Sequence, residues 1–310
     1  MKLLVDIHYT DWMSNQDFRS EMEAIADQDI LFYPDIGDGL EIAMLACDRL
    51  RPGLVRQLPD LELVQKLGAG VDTMLSDPDL PPHVRVTRLK HAATAREMAR
   101  FCLAHVLQDV QNMDFHRQNQ ERAVWKARAP KRVADLEVGI LGLGHIGGTT
   151  ARMFADTGFN VTGWSRTSKN LDGVTCLNGN SKLAEVLGRA DYVVSILPST
   201  PETVNLFDLD LFMRMKPGSM IINVGRGTLI VEQDLIAALD QGLLRHAVLD
   251  VFQHEPLPAG SPLWHHRGIT ITPHVSGWDL DDALRAVSEN FNRLAAAQPL
   301  LHEIDRLSGY

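Results

Sequence analysis

The chain is poor in cysteine and aromatic residues, has no long apolar run and carries no excess of positive charge. Its three cysteines, Cys47, Cys102 and Cys176, are odd in number, far apart and without a CxxC spacing. That argues against a disulfide framework or a structural zinc site and leaves them as buried small hydrophobes. No stretch approaches the ~20 consecutive apolar residues that a bilayer-spanning helix needs. The opening MKLLVDIHYTDW contains Asp6 and lacks a small-residue cleavage site, so it reads as a first strand and not as a signal peptide. A cytoplasmic protein with no membrane partner is therefore expected. A formal net charge of −10 repels a phosphate backbone, and no basic stripe or aromatic RNA-binding pattern offsets it, so nucleic acid is not an expected partner. His91, His105, His116, His254, His265 and His266 have no companions at metal-ligand spacing, and no metal is expected.

What is present is the composition of a globular protein: 310 residues, 45% hydrophobic and 23% charged, long enough for two domains that each bury a core. From Met1 to about Lys90, KLLVDIH, ILFYP and LELVQKLG read as strands, DFRSEMEAIAD and GLEIAMLACDRL read as amphipathic helices between them, and VRVTRL follows. ATAREMARFCLAHVLQDVQNMDFHRQNQERAVW reads as one long helix. Between Val138 and about Pro273, the segments EVGILG, NVTGWS, YVVSILP, SMIINVG, RHAVLDVF and GITITP are strand candidates separated mostly by helices. This predicts an α/β protein with a doubly wound parallel-sheet nucleotide domain of the Rossmann type and a smaller α/β domain. A last helix, DDALRAVSENFNRLAAAQPLL, outruns the second sheet and is free to return to the first.

Gly142, Gly144 and Gly147 form G-x-G-x-x-G directly after the strand EVGIL and at the start of a helix that includes His145 and Ile146, the context this motif requires. The glycines permit a tight turn, a close approach to a pyrophosphate and close helix packing, and the helix N-terminus favours the anion. In an NAD site the second strand ends on an acidic residue that would repel a 2′-phosphate. Here it ends on Ser165, followed by Arg166, Thr167, Ser168 and Lys169, which offer hydroxyls and two cations to a phosphate. NADP, as NADPH, is the expected cofactor, with NAD as the alternative.

Further stretches then line up with one family. LGAGVD (67–72), LPSTPET (197–203), KPGSMIINVGRG (216–227), LDVFQHEPLP (249–258) and PHVSG (273–277) occur in the order found in D-2-hydroxyacid dehydrogenases, which the chain resembles over nearly its whole length. WSRTSK, SPLW and DRLSGY resemble most the NADPH-dependent glyoxylate/hydroxypyruvate reductases within it. The resemblance implies a discontinuous, flavodoxin-like substrate domain of residues 1–93 and 280–310, a dinucleotide-binding domain of residues 94–279, and an active site in the cleft between them. It also implies a homodimer to which the long helix near 96–117 contributes.

Reduction of a small 2-oxo acid needs a carboxylate clamp, a proton for the carbonyl oxygen and a hydride beside the carbonyl carbon. Arg226, after the strand SMIINVG, has the planar fork to grip carboxylate and carbonyl together. His274, after GITITP, is the candidate general acid, and Glu255 in HEP resembles the family's carboxylate partner for it. Gly68, Ala69 and Gly70 form a loop whose N–H groups suit the substrate carboxylate. Asp250 matches the family residue that holds the nicotinamide carboxamide. Leu197, Pro198 and Thr203 match the loop beside the adenosine and ribose, and Val224, Gly225, His274 and Gly277 complete the expected cofactor contacts. Trp278 is a candidate lid as much as a core or interface residue. The competing readings are another D-2-hydroxyacid dehydrogenase that uses NAD, formate dehydrogenase, which pairs its His with a neutral amide, and a non-catalytic nucleotide-sensing scaffold of corepressor type.

Overall fold

The computed structural model describes residues 1–8, 14–22, 25–26, 29–90, 92–277 and 283–306. Trp278, His91 and the residues after Arg306 lie outside them. The chain divides into two compact units, Met1–Ala93 with Trp278–Tyr310 and Thr94–Gly277.

The first unit contains β1 (Lys2–Asp6), α1 (Asn15–Glu21), β2 (Ile30–Phe32), β3 (Ile42–Cys47), β4 (Leu63–Lys66), α2 (Asp72–Leu75) and β5 (Arg85–Thr87). The strands are all parallel, in the order β2-β1-β3-β4-β5. Side chains alternate between the two faces of the sheet. Leu3, Val5, Met44 and Ala46 pack with Phe18 of α1 and with Met22 just after it, while Leu4, Leu45, Val64 and Val86 pack with Val55, Val71 and Met74. Burial on both faces explains a misreading of the sequence: IAMLAC, expected within a helix, is the strand β3, with all six residues buried. A strand covered on both faces is a continuous apolar run, and over six residues it cannot be told from a buried helix by periodicity.

In the second unit, α3 (Ala92–Val110) and α4 (Met113–Glu121) stand where one long helix was expected. Asn112 breaks it in the left-handed region, at φ 54°, a conformation Asn tolerates better than most residues, and its side-chain amide donates to the Ala129 carbonyl at 3.0 Å. Then follow β6 (Glu137–Leu141), α5 (His145–Asp156), β7 (Asn160–Ser165), β8 (Thr175–Asn178), α6 (Leu183–Arg189), β9 (Tyr192–Ser195), α7 (Leu209–Met213), β10 (Ser219–Asn223), α8 (Glu232–Asp240), β11 (Leu244–Leu249) and β12 (Ile269–Ile271). The seven parallel strands run β12-β11-β10-β9-β6-β7-β8, the doubly wound Rossmann order. Edge strand β8 escaped notice in the sequence because TCLN has no apolar run and buries none of its residues fully.

The last helix, α9 (Ala283–Ala295), sends Leu284, Val287 and Phe291 into the same core as Leu3 and Met44 of the first unit. Cys47 and Cys102 are buried as expected, whereas Cys176 is only partly so. Among the described residues no helix is long and apolar enough to cross a membrane.

Candidate active site

Parallel strands bring all their carboxyl ends to one edge. In the second unit the strand order reverses between β6 and β9, so the segments after those strands flank the crevice where open sheets take ligands. After β6 the chain turns at Gly142, with φ +98°, and its amide donates to the Trp164 carbonyl at 2.8 Å. A Cβ on Gly147 would fall 1.7 Å from the Gly142 carbonyl oxygen, so α5 can start this close to β6 only on glycine. At Gly144, the N-cap of α5, a Cβ would meet nothing within 4 Å, which leaves room against the helix N-terminus. His145 and Ile146 open the helix.

Ser165 ends β7, is buried, and donates to the Thr167 carbonyl at 2.7 Å, folding the strand end into a short loop. Arg166, Thr167, Ser168 and Lys169 follow it on the surface. After β9, Leu197 is buried and Pro198 exposed; Thr203 donates through Oγ1 to the Pro198 carbonyl at 2.6 Å and accepts from the Thr200 amide at 2.8 Å, closing the loop.

Arg226 is carried by the loop after β10. Asn223, fully buried, holds that loop by donating to the Arg226 carbonyl at 2.8 Å and accepting from the Gly225 amide at 3.2 Å. Val224 is buried, and the Arg226 Nη1 donates to the Gly225 carbonyl at 2.7 Å. The next residue, Gly227, lies against the backbone of Phe252, where a Cβ would come 1.9 Å from the Phe252 carbonyl carbon. The loop after β10 is thereby seated on the segment after β11.

That segment carries Glu255. Its Oε1 accepts from the Phe252 amide at 2.9 Å and its Oε2 meets His274 Nδ1 at 2.8 Å. Burial pushes the Glu255 carboxyl up, but the hydrogen bond and charge of His274, the Phe252 amide and the charge of Arg226 together hold it below the usual carboxylate range. The carboxylate is consequently ionised at neutral pH. It loses its charge, and the ion pair with it, only as pH falls through that lowered value.

His274 follows β12 and is itself in the left-handed region at φ 57°, a conformation uncommon for a non-glycine residue. Asp250 enforces it. This wholly buried carboxylate accepts from the Thr272 hydroxyl at 2.6 Å and from the amides of Val275 and Ser276, each at 2.9 Å, so it grips the loop on either side of His274. Gly277 ends the loop against Thr94 and Met98 of α3. The imidazole is half exposed; with Nδ1 committed to Glu255, Nε2 is the nitrogen left to face a substrate.

The second unit therefore brings Arg226, Glu255 and His274 to bear on one another and the glycine turn to the same sheet edge. Gly68, Ala69 and Gly70 belong to the first unit, in the loop after β4, where the Gly68 carbonyl accepts from the Leu89 amide at 3.0 Å. Asn223, Phe252 and Thr272 were not singled out in the sequence, although Asn223 opens the quoted NVGRG. A buried residue that serves through one hydrogen bond leaves no pattern of its own. Among the described residues no group of three or more His, Cys, Asp or Glu is arranged to hold a metal ion.

Residues 103–276, more than half of the chain, match the model of the D-isomer specific 2-hydroxyacid dehydrogenase NAD binding domain. A glyoxylate/hydroxypyruvate reductase A from Serratia proteamaculans is 37% identical over 256 residues, covering 81% of this chain and 82% of the relative. Among solved structures, a D-isomer specific 2-hydroxyacid dehydrogenase from Xanthobacter autotrophicus in complex with NADPH and MES superposes with a TM-score of 0.90 at 36% identity, covering 100% of this chain and 99% of that one. An NADPH-dependent glyoxylate/hydroxypyruvate reductase from Sinorhizobium meliloti, in complex with NADP and sulfate, gives a TM-score of 0.89 at 29% identity, with 100% and 99% covered. A Rossmann sheet with the glycine turn at its switch point, an imidazole held by a carboxylate that also feels the charge of Arg226, and matches of this extent agree: the chain belongs to the D-isomer specific 2-hydroxyacid dehydrogenase family.

Proposed function

We propose that the protein reduces small 2-oxo acids such as glyoxylate and hydroxypyruvate to 2-hydroxy acids, with NADPH as the reductant. The observation that carries this reading is the 2.8 Å contact between Glu255 and His274 Nδ1, which leaves Nε2 of a half-exposed ring available. A family member whose imidazole is held by an ionised carboxylate is equipped to donate a proton as charge develops on a carbonyl oxygen.

The residues at the glycine turn suit a dinucleotide: the N-terminus of α5 with the open space at Gly144 suits the pyrophosphate, and the loop from Ser165 to Lys169, two cations and no carboxylate, suits a 2′-phosphate. The relatives described with NADPH and NADP support that choice over NAD. When bound, the reduced nicotinamide supplies the hydride that the carbonyl carbon receives. Arg226 grips the substrate carboxylate and carbonyl oxygen through its fork. In the first unit, the Gly68–Gly70 loop has backbone N–H groups suited to a substrate carboxylate. His274 gives the Nε2 proton to the carbonyl oxygen, and Glu255 stabilises the ring while it is charged. Asp250 acts through the loop it grips, holding the ring in place. In the oxidative direction the neutral ring takes the hydroxyl proton back.

The test is turnover of glyoxylate and hydroxypyruvate with each cofactor. Catalytic efficiency with NADPH is expected to exceed that with NADH by about tenfold or more, the worth of charge-assisted hydrogen bonds to one phosphate. His274→Ala should lower kcat by on the order of 10²–10⁴ with NADPH affinity unchanged. Equal use of NADH would overturn the cofactor assignment. Negligible turnover by the wild type at saturating NADPH would leave the nucleotide-sensing scaffold in its place.

A further inference from the structure

The first unit holds an arginine that pairs with no carboxylate among the described residues. Arg88 directly follows β5, and the Gly68–Gly70 loop directly follows β4. The two strands are adjacent and parallel, with Gln65 opposite Thr87, so Arg88 and the loop emerge at the same sheet edge. A buried network locks that register: the Thr87 hydroxyl donates to Gln65 Oε1 at 2.7 Å, and Asn290 of α9 donates to the same oxygen at 2.8 Å. The Leu89 amide ties the strand end to Gly68.

At this edge the Arg88 guanidinium is partly buried, and its one side-chain hydrogen bond among the described residues is a long one, Nη1 to the Ala69 carbonyl at 3.4 Å. No carboxylate among the described residues pairs with it, in contrast to Arg85, three residues earlier, which makes two hydrogen bonds to Glu303 at 2.8 and 2.6 Å. Burial accordingly draws the Arg88 guanidinium below its usual value with nothing to raise it. A partly desolvated cation without a counter-charge is costly to keep unless an anion completes it. Two neighbours point the same way. The amides of Gly68, Ala69 and Gly70 donate no hydrogen bond among the described residues. The Lys66 ammonium, which donates to the Asp48 carbonyl, lies 3.7 Å from where a Cβ on Gly68 would be.

We propose that Arg88 is a substrate-anchoring residue of the first unit, holding one carboxylate of the ligand together with the unpaired amides of the Gly68–Gly70 loop and the nearby Lys66. The anchor accepts a carboxylate in a planar, two-pronged grip, and it favours 2-oxo acids over the corresponding aldehydes and ketones that lack the acid group. The assignment rests on the proposed reduction of 2-oxo acids, and its test separates the two. Oxalate, an unreactive planar dicarboxylate, is titrated calorimetrically into the wild type, Arg88→Gln and Arg88→Lys, each checked for unchanged Tm, while NADPH-dependent glyoxylate reduction is followed in parallel.

Arg88→Gln should weaken oxalate binding and raise the glyoxylate KM by roughly ten- to a hundredfold, the worth of a hydrogen bond pair to a charged group, with NADPH affinity unchanged. Arg88→Lys keeps the charge without the fork and should recover part of the loss. Oxalate binding that depends on Arg88 in a protein with no glyoxylate turnover upholds the anchor and removes the proposed activity. Oxalate binding that is absent in the wild type, or equal in all three proteins, overturns the anchor whatever the turnover.

Discussion

His274 depends on a carboxylate 19 residues earlier in the chain and on a second one that never touches its ring. Glu255 meets Nδ1, while Asp250 holds the backbone on both sides of the ring through Thr272, Val275 and Ser276. The two acids divide the work of charge and position. Glu255→Gln keeps one oxygen, for either the Phe252 amide or the ring, and removes the counter-charge of the imidazolium. Its kcat for glyoxylate reduction at neutral pH should fall about tenfold or more, with substrate KM little changed, as measured by initial rates; an unaltered kcat would show that the charge is not used. The sequence motifs HEP and PHVSG marked both partners of the pair. They carried no sign of the Asp250 grip, because a wholly buried acid and a surface one look alike in a string of letters.

The loops after the strands, more than the strands, decide the placement of Arg226. β10 delivers the chain to the sheet edge, Asn223 pins the turn, and Gly227 lets it rest on Phe252. A methyl group at 227 would stand 1.9 Å from the Phe252 carbonyl carbon and 2.4 Å from its Cα, both backbone atoms that cannot swing aside. Gly227→Ala is therefore expected to cost about 1–3 kcal/mol, lowering Tm by several degrees. It should also raise the substrate KM, because both loops flanking Glu255 must shift. Thermal melts and kinetics on the same preparation check this, and a fully active variant of wild-type Tm would contradict it. Element types were legible where periodicity ran long, as in β6 and β10. They were misread where a fully buried strand resembled a helix, at β3, and where one residue ended a helix, at Asn112.

Across the second unit, a polar cluster joins segments far apart in sequence. Asp109 of α3 accepts from Tyr192 Oη and Lys131 Nζ, both at 2.7 Å, and from Arg245 Nη2 at 3.0 Å. Burial raises its carboxyl, yet those hydrogen bonds and the neighbouring cations outweigh it and hold the group at about 2, below its ordinary 3.8. A depressed acid stabilises the fold above its unfolded value and loses that contribution as pH falls through the folded one. The window is therefore about pH 4 down to about 2, and the contribution is roughly 2 kcal/mol. Urea unfolding of wild type and Asp109→Asn across this range should show the wild type losing that much more stability; parallel curves would refute the linkage.

By itself the sequence determined the family, the α/β class, the glycine turn and the catalytic candidates, since these depend on residue types recurring at short, fixed spacings. Only the tertiary structure decided that IAMLAC is a central strand, that Asp250 grips the His274 loop, and that Arg88 meets the Gly68–Gly70 loop without an acidic partner among the described residues. Those outcomes turn on which surfaces are covered and which charges are paired across the sheet. Burial and pairing are properties of the folded contacts and not of neighbours along the chain.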